Sequence, residues 1–304
     1  MKIAIGMPTY NDYERINNLL KSIIEVTDYD LSDVKIVVLD DGTPDKNKVE
    51  KLKEVCDRYK VDFIKHDKNR GIPAAWNSLT RHFNSEYMIL FNDDIRICNK
   101  DWLKCFIYFL DNNPKIASIG FPLIQIDVNT GKMRDSVALN YDNNPGRVGS
   151  PVGCSFGFRR KAFDEVGGFW EKLRSFYEET MYHFEILEKT GLYSYMIPYP
   201  AVEHWGSQTF AKNFELNVQD PIPELPLEEY VEIMLKKYPI ERIIPIPGKV
   251  YRMDYSRVLF AKKFNCQDYW DMPQVEVHHR LLDGKPAMKV KWLDKNMEEK
   301  ESDC

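Results

Sequence analysis

The first 120 residues alternate between short apolar runs and longer stretches with helical spacing. Ile3-Ala4-Ile5-Gly6-Met7 reads as a buried strand, and Ile16, Leu19, Leu20, Ile23 and Ile24 then recur every three or four residues. That recurrence is the apolar stripe of a helix laid on a core. Val34 to Leu39 predicts a second strand, Val49, Leu52 and Val55 a second helix, and Val61 to Ile64 a third strand. A helix from Pro73 to Phe83 leads to the strand Tyr87 to Phe91, and one from Trp102 to Leu110 leads to the strand Ile116 to Gly120. Strands joined through helices predict an α/β fold: a Rossmann-like, mostly parallel sheet flanked by helices on both faces.

Past residue 120 the rhythm breaks. Ile124 to Asp127 and Lys132-Met133 flank Asn129-Thr130-Gly131, the pattern of a hairpin turn, and Asp142 to Gly146 is a polar loop. A helix from Ser175 to Lys189 stops at Gly191, ahead of the strand Tyr193 to Ile197. Pro221, Pro223 and Pro226 mark a linker. The chain therefore divides into a domain over 1–210 and a mainly helical extension over 211–304. The extension carries helices at Leu227 to Lys237 and Tyr255 to Phe264, and its tail from Lys295 is expected to be disordered. Its aromatic residues could pack on the first domain or form a homodimer contact.

Composition narrows the class. The chain has 304 residues, 43% hydrophobic and 29% charged, enough to bury a full core and ordinary for a soluble protein. A net charge of -5 argues against a dedicated nucleic-acid binder. The N-terminus runs straight into a strand, so no signal peptide is expected, and no apolar run is long enough for a transmembrane segment. Six cysteines without CxxC spacing read as reduced thiols of a cytoplasmic protein.

Candidate chemistry sits where such sheets bind ligands, at the carboxyl ends of their strands. Two acidic doublets fall there: Asp40-Asp41-Gly42 and Asn92-Asp93-Asp94. Adjacent carboxylates at a core edge repel each other and lose hydration. A divalent cation holding a diphosphate would offset that; an Asn-Asp turn capping the Trp102 helix is the plainer alternative. At Asp40 or Asp41 a carboxylate could accept from a uracil or thymine imino N–H or from ribose hydroxyls. Glu178-Glu179 near a helix start offers a general base, although acids also favour a helix N-terminus through its dipole.

Met7-Pro8-Thr9-Tyr10-Asn11, Asp40-Asp41-Gly42, Asn69-Arg70-Gly71, Asn92-Asp93-Asp94, Glu178-Glu179 and His204 occur in an order that resembles family 2 glycosyltransferases of the GT-A fold. The resemblance covers about residues 2 to 210. It implies transfer of a hexosyl group from a nucleoside diphosphate sugar (UDP, GDP or dTDP linked) to a glycan or other acceptor hydroxyl, with inversion at the anomeric carbon. Pro8, Thr9, Tyr10, Asn69, Arg70, Gly71, Asn77, Asn92 and Asp93 would line the donor, with Asp41 favoured over Asp40 for the base. Asp94 and His204 would bind the metal, and this mixed oxygen and nitrogen donor set suits Mn²⁺ better than Mg²⁺. Glu179 would be the base where relatives usually have Asp, with Glu178 beside it; Cys154 and Trp170 would lie toward the acceptor. Asn92 departs from the usual Asp-x-Asp.

Two other classes remain to compare. A donor-binding scaffold without turnover would account for Asn92 and Glu179. A sugar-phosphate nucleotidyltransferase would need a glycine-rich basic loop near the N-terminus, and Pro8-Thr9-Tyr10-Asn11-Asp12 has neither glycine nor lysine.

Overall fold

The structure is a computed structural model that describes residues 1–121, 123–126, 130–131, 153–171, 178–196, 201–205, 289–293 and 299–303. Its centre is β1 (Ile3–Thr9), buried at every position. This strand pairs in parallel with β2 (Val34–Asp40) and β4 (Tyr87–Phe91), and β3 (Asp62–Lys65) extends the sheet beyond β2. Between these strands run α1 (Tyr13–Val26), α2 (Lys46–Tyr59) and α3 (Ile72–His82). Asp12 and Asp45 cap α1 and α2 through their side chains, and Pro73 sits in the first turn of α3, where its missing N–H does no harm.

The second half of the sheet is built differently. After β5 (Ile95–Ile97) and α4 (Trp102–Asn112) come β6 (Ile116–Gly120), β7 (Leu123–Gln125), β8 (Ser155–Arg159), α5 (Arg160–Val166), α6 (Glu178–Thr190), β9 (Tyr193–Met196) and β10 (Val202–His204). The large sheet has the order β3-β2-β1-β4-β8-β6-β9, with β8 antiparallel to both neighbours. A small sheet of order β5-β10-β7 stands at its edge. Strand β8 alternates sharply. Phe156 and Phe158 enter one core, whereas Gly157 leaves room for the Phe106 ring on the other face.

Two cores result. One packs Ile16, Leu19, Leu20 and Ile23 of α1 with Trp102, Phe106 and Leu110 of α4. The other packs Trp76 and Leu79 of α3 with Phe156, Phe158, Phe163, Tyr182 and Ile186. The mostly parallel, helix-flanked sheet agrees with the expectation from the sequence.

Ile124 pairs in parallel with Glu203 of β10; residues 132–133, the other arm of the expected hairpin, lie outside the described residues. Near the C-terminus β11 (Lys289–Leu293) pairs antiparallel with β12 (Glu299–Asp303), the latter within the stretch from Lys295 that was expected to be disordered. The expected helices at 227–237 and 255–264 and the loop at 142–146 lie outside the described residues, as does the linker.

Candidate active site

The carboxyl ends of β1, β2 and β4 lie side by side, with Thr9 in register with Asp40. Thr9 Oγ1 donates to Asp93 Oδ2 at 2.6 Å, tying β1 to β4. Asp93 also has Arg15 Nη1 at 3.5 Å from its other oxygen, and Arg15 in turn pairs with Asp12 at 3.3 Å. Burial first, and then the charge of Asp94, push the Asp93 carboxyl up to about 7. Arg15 escaped the sequence reading. Its signal was a cation three residues after the Asp12 cap, in a helical turn where acids are favoured.

Asp94 meets His204 across the small sheet. The β5–β10 register sets Ile95 opposite His204, and His204 Nε2 lies 3.2 Å from Asp94 Oδ2. The Trp205 N–H donates to the Asp94 carbonyl at 2.9 Å. On the other face of the ribbon the Arg96 guanidinium stacks 3.8 Å from the Trp205 ring centroid, and the Trp205 indole donates to Glu203. Asp94 Oδ1 is buried without a hydrogen-bond partner. A buried carboxylate oxygen left unpaired beside an imidazole fits a divalent cation. Among the described residues no group of three or more His, Cys, Asp or Glu side chains that could hold a metal ion forms.

The residues just before β8 meet both the end of β4 and the start of α6. The Asn92 N–H donates to the Cys154 carbonyl at 2.9 Å. Burial raises the Cys154 thiol well above its usual range, and the charges of Asp94 and Glu179 add to it. The Glu179 carboxyl lies against Gly153: a Cβ there would come 2.7 Å from its Cδ. Glu178 is buried, and burial together with Glu179 raises its carboxyl well above the usual range. His183, one turn beyond Glu179, pairs through Nδ1 with Ser194 Oγ at 2.8 Å and packs edge-on to Phe156. Burial pushes its imidazole down to about 3, which keeps it neutral.

At the donor end Asp41 is heavily engaged. Its Oδ1 accepts from the Arg70 N–H at 3.0 Å and its Oδ2 from the Gly71 N–H at 2.9 Å. Gly42, at φ +78°, lets the backbone of Lys68 and Asn69 pack directly on its Cα. Asp40 Oδ1 accepts from the Thr43 N–H at 3.1 Å, and Lys65 Nζ lies 3.4 Å from its Oδ2. Arg70 pairs with Glu171 at 2.8 Å, half-exposed and within reach of solvent anions.

The structure thus brings Thr9, Asp93, Asp94, His204, Cys154 and Glu179 together, and Asp41 with Arg70 and Gly71. Pro8 is buried inside β1 opposite Leu39. Asn77 spends its amide on the loop after α5: it donates to the Phe169 carbonyl and Glu171, and accepts from the Phe169 N–H. Its link to the donor end runs through Glu171. Tyr10, Asn69 and Trp170 are partly buried at the rim.

Known proteins share this fold. A family model for glycosyl transferase family 2 matches residues 4–167, more than half of the chain. A dolichol-phosphate mannosyltransferase of Pyrococcus furiosus is 33% identical over 78 residues, which are 25% of this chain and only 20% of that protein. Among solved structures, the mannosyltransferase PcManGT of Pyrobaculum calidifontis, in complex with GDP-Man and Mn²⁺, superposes with a TM-score of 0.56 at 15% identity, covering 86% of this chain and 71% of its own. TarS 1-349 of S. aureus with UDP-GlcNAc gives a TM-score of 0.56 at 15% identity over 87% of this chain and 72% of its own. At such identities the likeness speaks for the fold.

Proposed function

The chain belongs to glycosyl transferase family 2, and from that premise we propose that it is an inverting, metal-dependent transferase that moves a sugar from a nucleoside diphosphate to an acceptor hydroxyl. The observation that supports this reading is the Asp94–His204 pair at 3.2 Å, with Asp94 Oδ1 buried and without a hydrogen-bond partner. Glu179 adds to it by lying against Gly153, the residue before Cys154, whose carbonyl accepts from the Asn92 N–H. The donor class is supported by the ligands named for the structural neighbours, GDP-Man and UDP-GlcNAc.

When held by Asp94 and His204, a divalent ion supplies charge neutralisation for the departing diphosphate. The mixed donor pair favours Mn²⁺ over Mg²⁺. Glu179 takes the proton from the acceptor hydroxyl as that oxygen attacks the anomeric carbon from the face opposite the diphosphate. Burial first, and then the charge of Glu179, raise the carboxyl of its neighbour Glu178 well above the usual range, which favours its neutral form. Thr9 and Arg15 fix Asp93 beside the leaving group's path. Arg70, exchanging Glu171 for a phosphate oxygen, adds positive charge at the donor end.

Calorimetry with nucleoside diphosphates, with and without Mn²⁺, tests the donor site, and a transfer assay tests the chemistry. We expect metal-dependent binding that Asp94→Ala abolishes. Glu179→Gln should keep nucleotide binding and lose ~10²–10⁴ in turnover, the usual worth of a general base. Absence of metal-dependent nucleotide binding would overturn the reading, and binding without any turnover would favour a donor-binding scaffold.

A further inference from the structure

Three side chains at the donor end form a hydrogen-bonded line that the transfer step leaves unused. His66 Nδ1 lies 2.7 Å from Asp41 Oδ1, and His66 Nε2 lies 2.9 Å from Ser78 Oγ in α3. An ionised carboxylate only accepts, so the hydrogen sits on Nδ1 and Nε2 receives the Ser78 hydroxyl. The order resembles a Ser-His-Asp triad, yet Ser78 lies inside a helix whose N–H groups are committed to its own carbonyls, leaving no oxyanion donors. The line orients; it does not attack.

What it orients is the acceptor capacity of Asp41. Oδ1 takes two donors, from His66 and from the Arg70 N–H, and Oδ2 takes one, from the Gly71 N–H. A carboxylate oxygen has two lone-pair directions, so among the described residues the second one on Oδ2 is unclaimed. We propose that His66 is a positioning residue for the nucleobase: it locks the Asp41 carboxylate so that this lone pair meets an imino N–H of the donor. This rests on the donor site proposed above and adds a substrate class to it. Uracil, thymine and guanine carry an imino N–H; adenine and cytosine present an accepting nitrogen at the equivalent edge and are rejected. Neither the identity of His66 nor its spacing from Asp41 announced this in the sequence, because the contact forms only when β3 lies beside β2.

Calorimetry in Mn²⁺ with UDP, GDP, ADP, CDP and inorganic pyrophosphate distinguishes the outcomes, using the unsubstituted protein, His66→Ala, His66→Asn and Ser78→Ala. The unsubstituted protein should prefer UDP or GDP over ADP and CDP. In His66→Ala we expect affinity for the preferred nucleotide to fall about tenfold or more, as for loss of a hydrogen bond to a charged group. The preference over ADP and CDP should shrink with it, while pyrophosphate affinity stays unchanged. His66→Asn, whose amide N–H can replace the Nδ1–H, should recover most of the loss, and Ser78→Ala should lose roughly threefold. An equal loss on pyrophosphate and nucleotide, or no loss at all, would overturn the inference, and so would a wild type without base preference. Should His66→Ala not fold, His66→Asn and Ser78→Ala decide by the same comparison. A wild type that binds pyrophosphate in Mn²⁺ but no nucleoside diphosphate removes the base contact alone; one that binds neither removes the donor site beneath it.

Discussion

The two halves of the site are held together by different means. The donor half, on β1, β2 and the loop before α3, comes from successive strand–helix units, and its key contacts are short in sequence: Asp41 to His66 spans 25 positions and Asp41 to Gly71 spans 30. The catalytic half is gathered from distant segments, with Thr9 to Asp93 spanning 84 positions and Asp94 to His204 spanning 110. One half is built by local order, the other by contacts at the β1–β4 pair and across the small β5–β10 pair. Damage to the first should therefore act on binding and folding, whereas in the second the effect depends on the residue: turnover at Glu179, metal-dependent binding at Asp94, stability at Thr9.

Gly42→Ala is the harshest way to break the donor half. Its Cβ would need a left-handed backbone and would collide with the backbone of Lys68 and Asn69. We expect a loss of about 2–4 kcal/mol of stability, visible as a lowered thermal midpoint, together with weaker nucleotide binding. Gly153→Ala attacks the other half. The new methyl displaces the Glu179 carboxyl, so turnover should fall about 10²-fold while nucleotide affinity and thermal midpoint change little. An equal loss of affinity would erase the distinction between the halves.

Thr9→Val removes the hydroxyl that ties Asp93 to β1 and should cost roughly 1–2 kcal/mol of stability, since a buried carboxyl loses a donor. Urea melts of the two proteins measure this. A further effect concerns acid. His183 is held near 3 by burial against an ordinary 6.5, so its neutral form stabilises the fold fully above about pH 6.5. That stability is lost as pH falls from there toward 3, by at most ~1.4 kcal/mol per pH unit. Hydrogen exchange in α6 should speed up below pH 6 before exchange in α1 does, and His183→Gln should remove that lead.

Legibility in the sequence follows the same division. Strands β1, β2 and β4 and helices α1 to α4 were readable because each carries its own period: a run of apolar residues, or a stripe such as Ile16, Leu19, Leu20 and Ile23. The three-residue strands β5 and β10 are too short to show any period, and Ser155-Phe156-Gly157-Phe158 hides a strand behind a glycine that makes room for Phe106. Asp94 and His204 were expected from the family resemblance and the structure pairs them. Arg15 and His66 were not, since an isolated charge or imidazole gives no hint of a partner brought in by another strand. Asn77 reads as a donor residue by its place in the motif; its amide proves committed to the loop at Phe169 because α3 packs there.

The 110 positions between Asp94 and His204 also have a meaning in time. A ribosome adding ~5–20 residues per second needs about 5–20 seconds to pass from one to the other. During that interval every strand of the donor half has left the ribosome, and the histidine that completes the Asp94 pair has not been made. The nascent chain thus holds the Asp41 contacts of the proposed base site before it holds the complete Asp94–His204 pair.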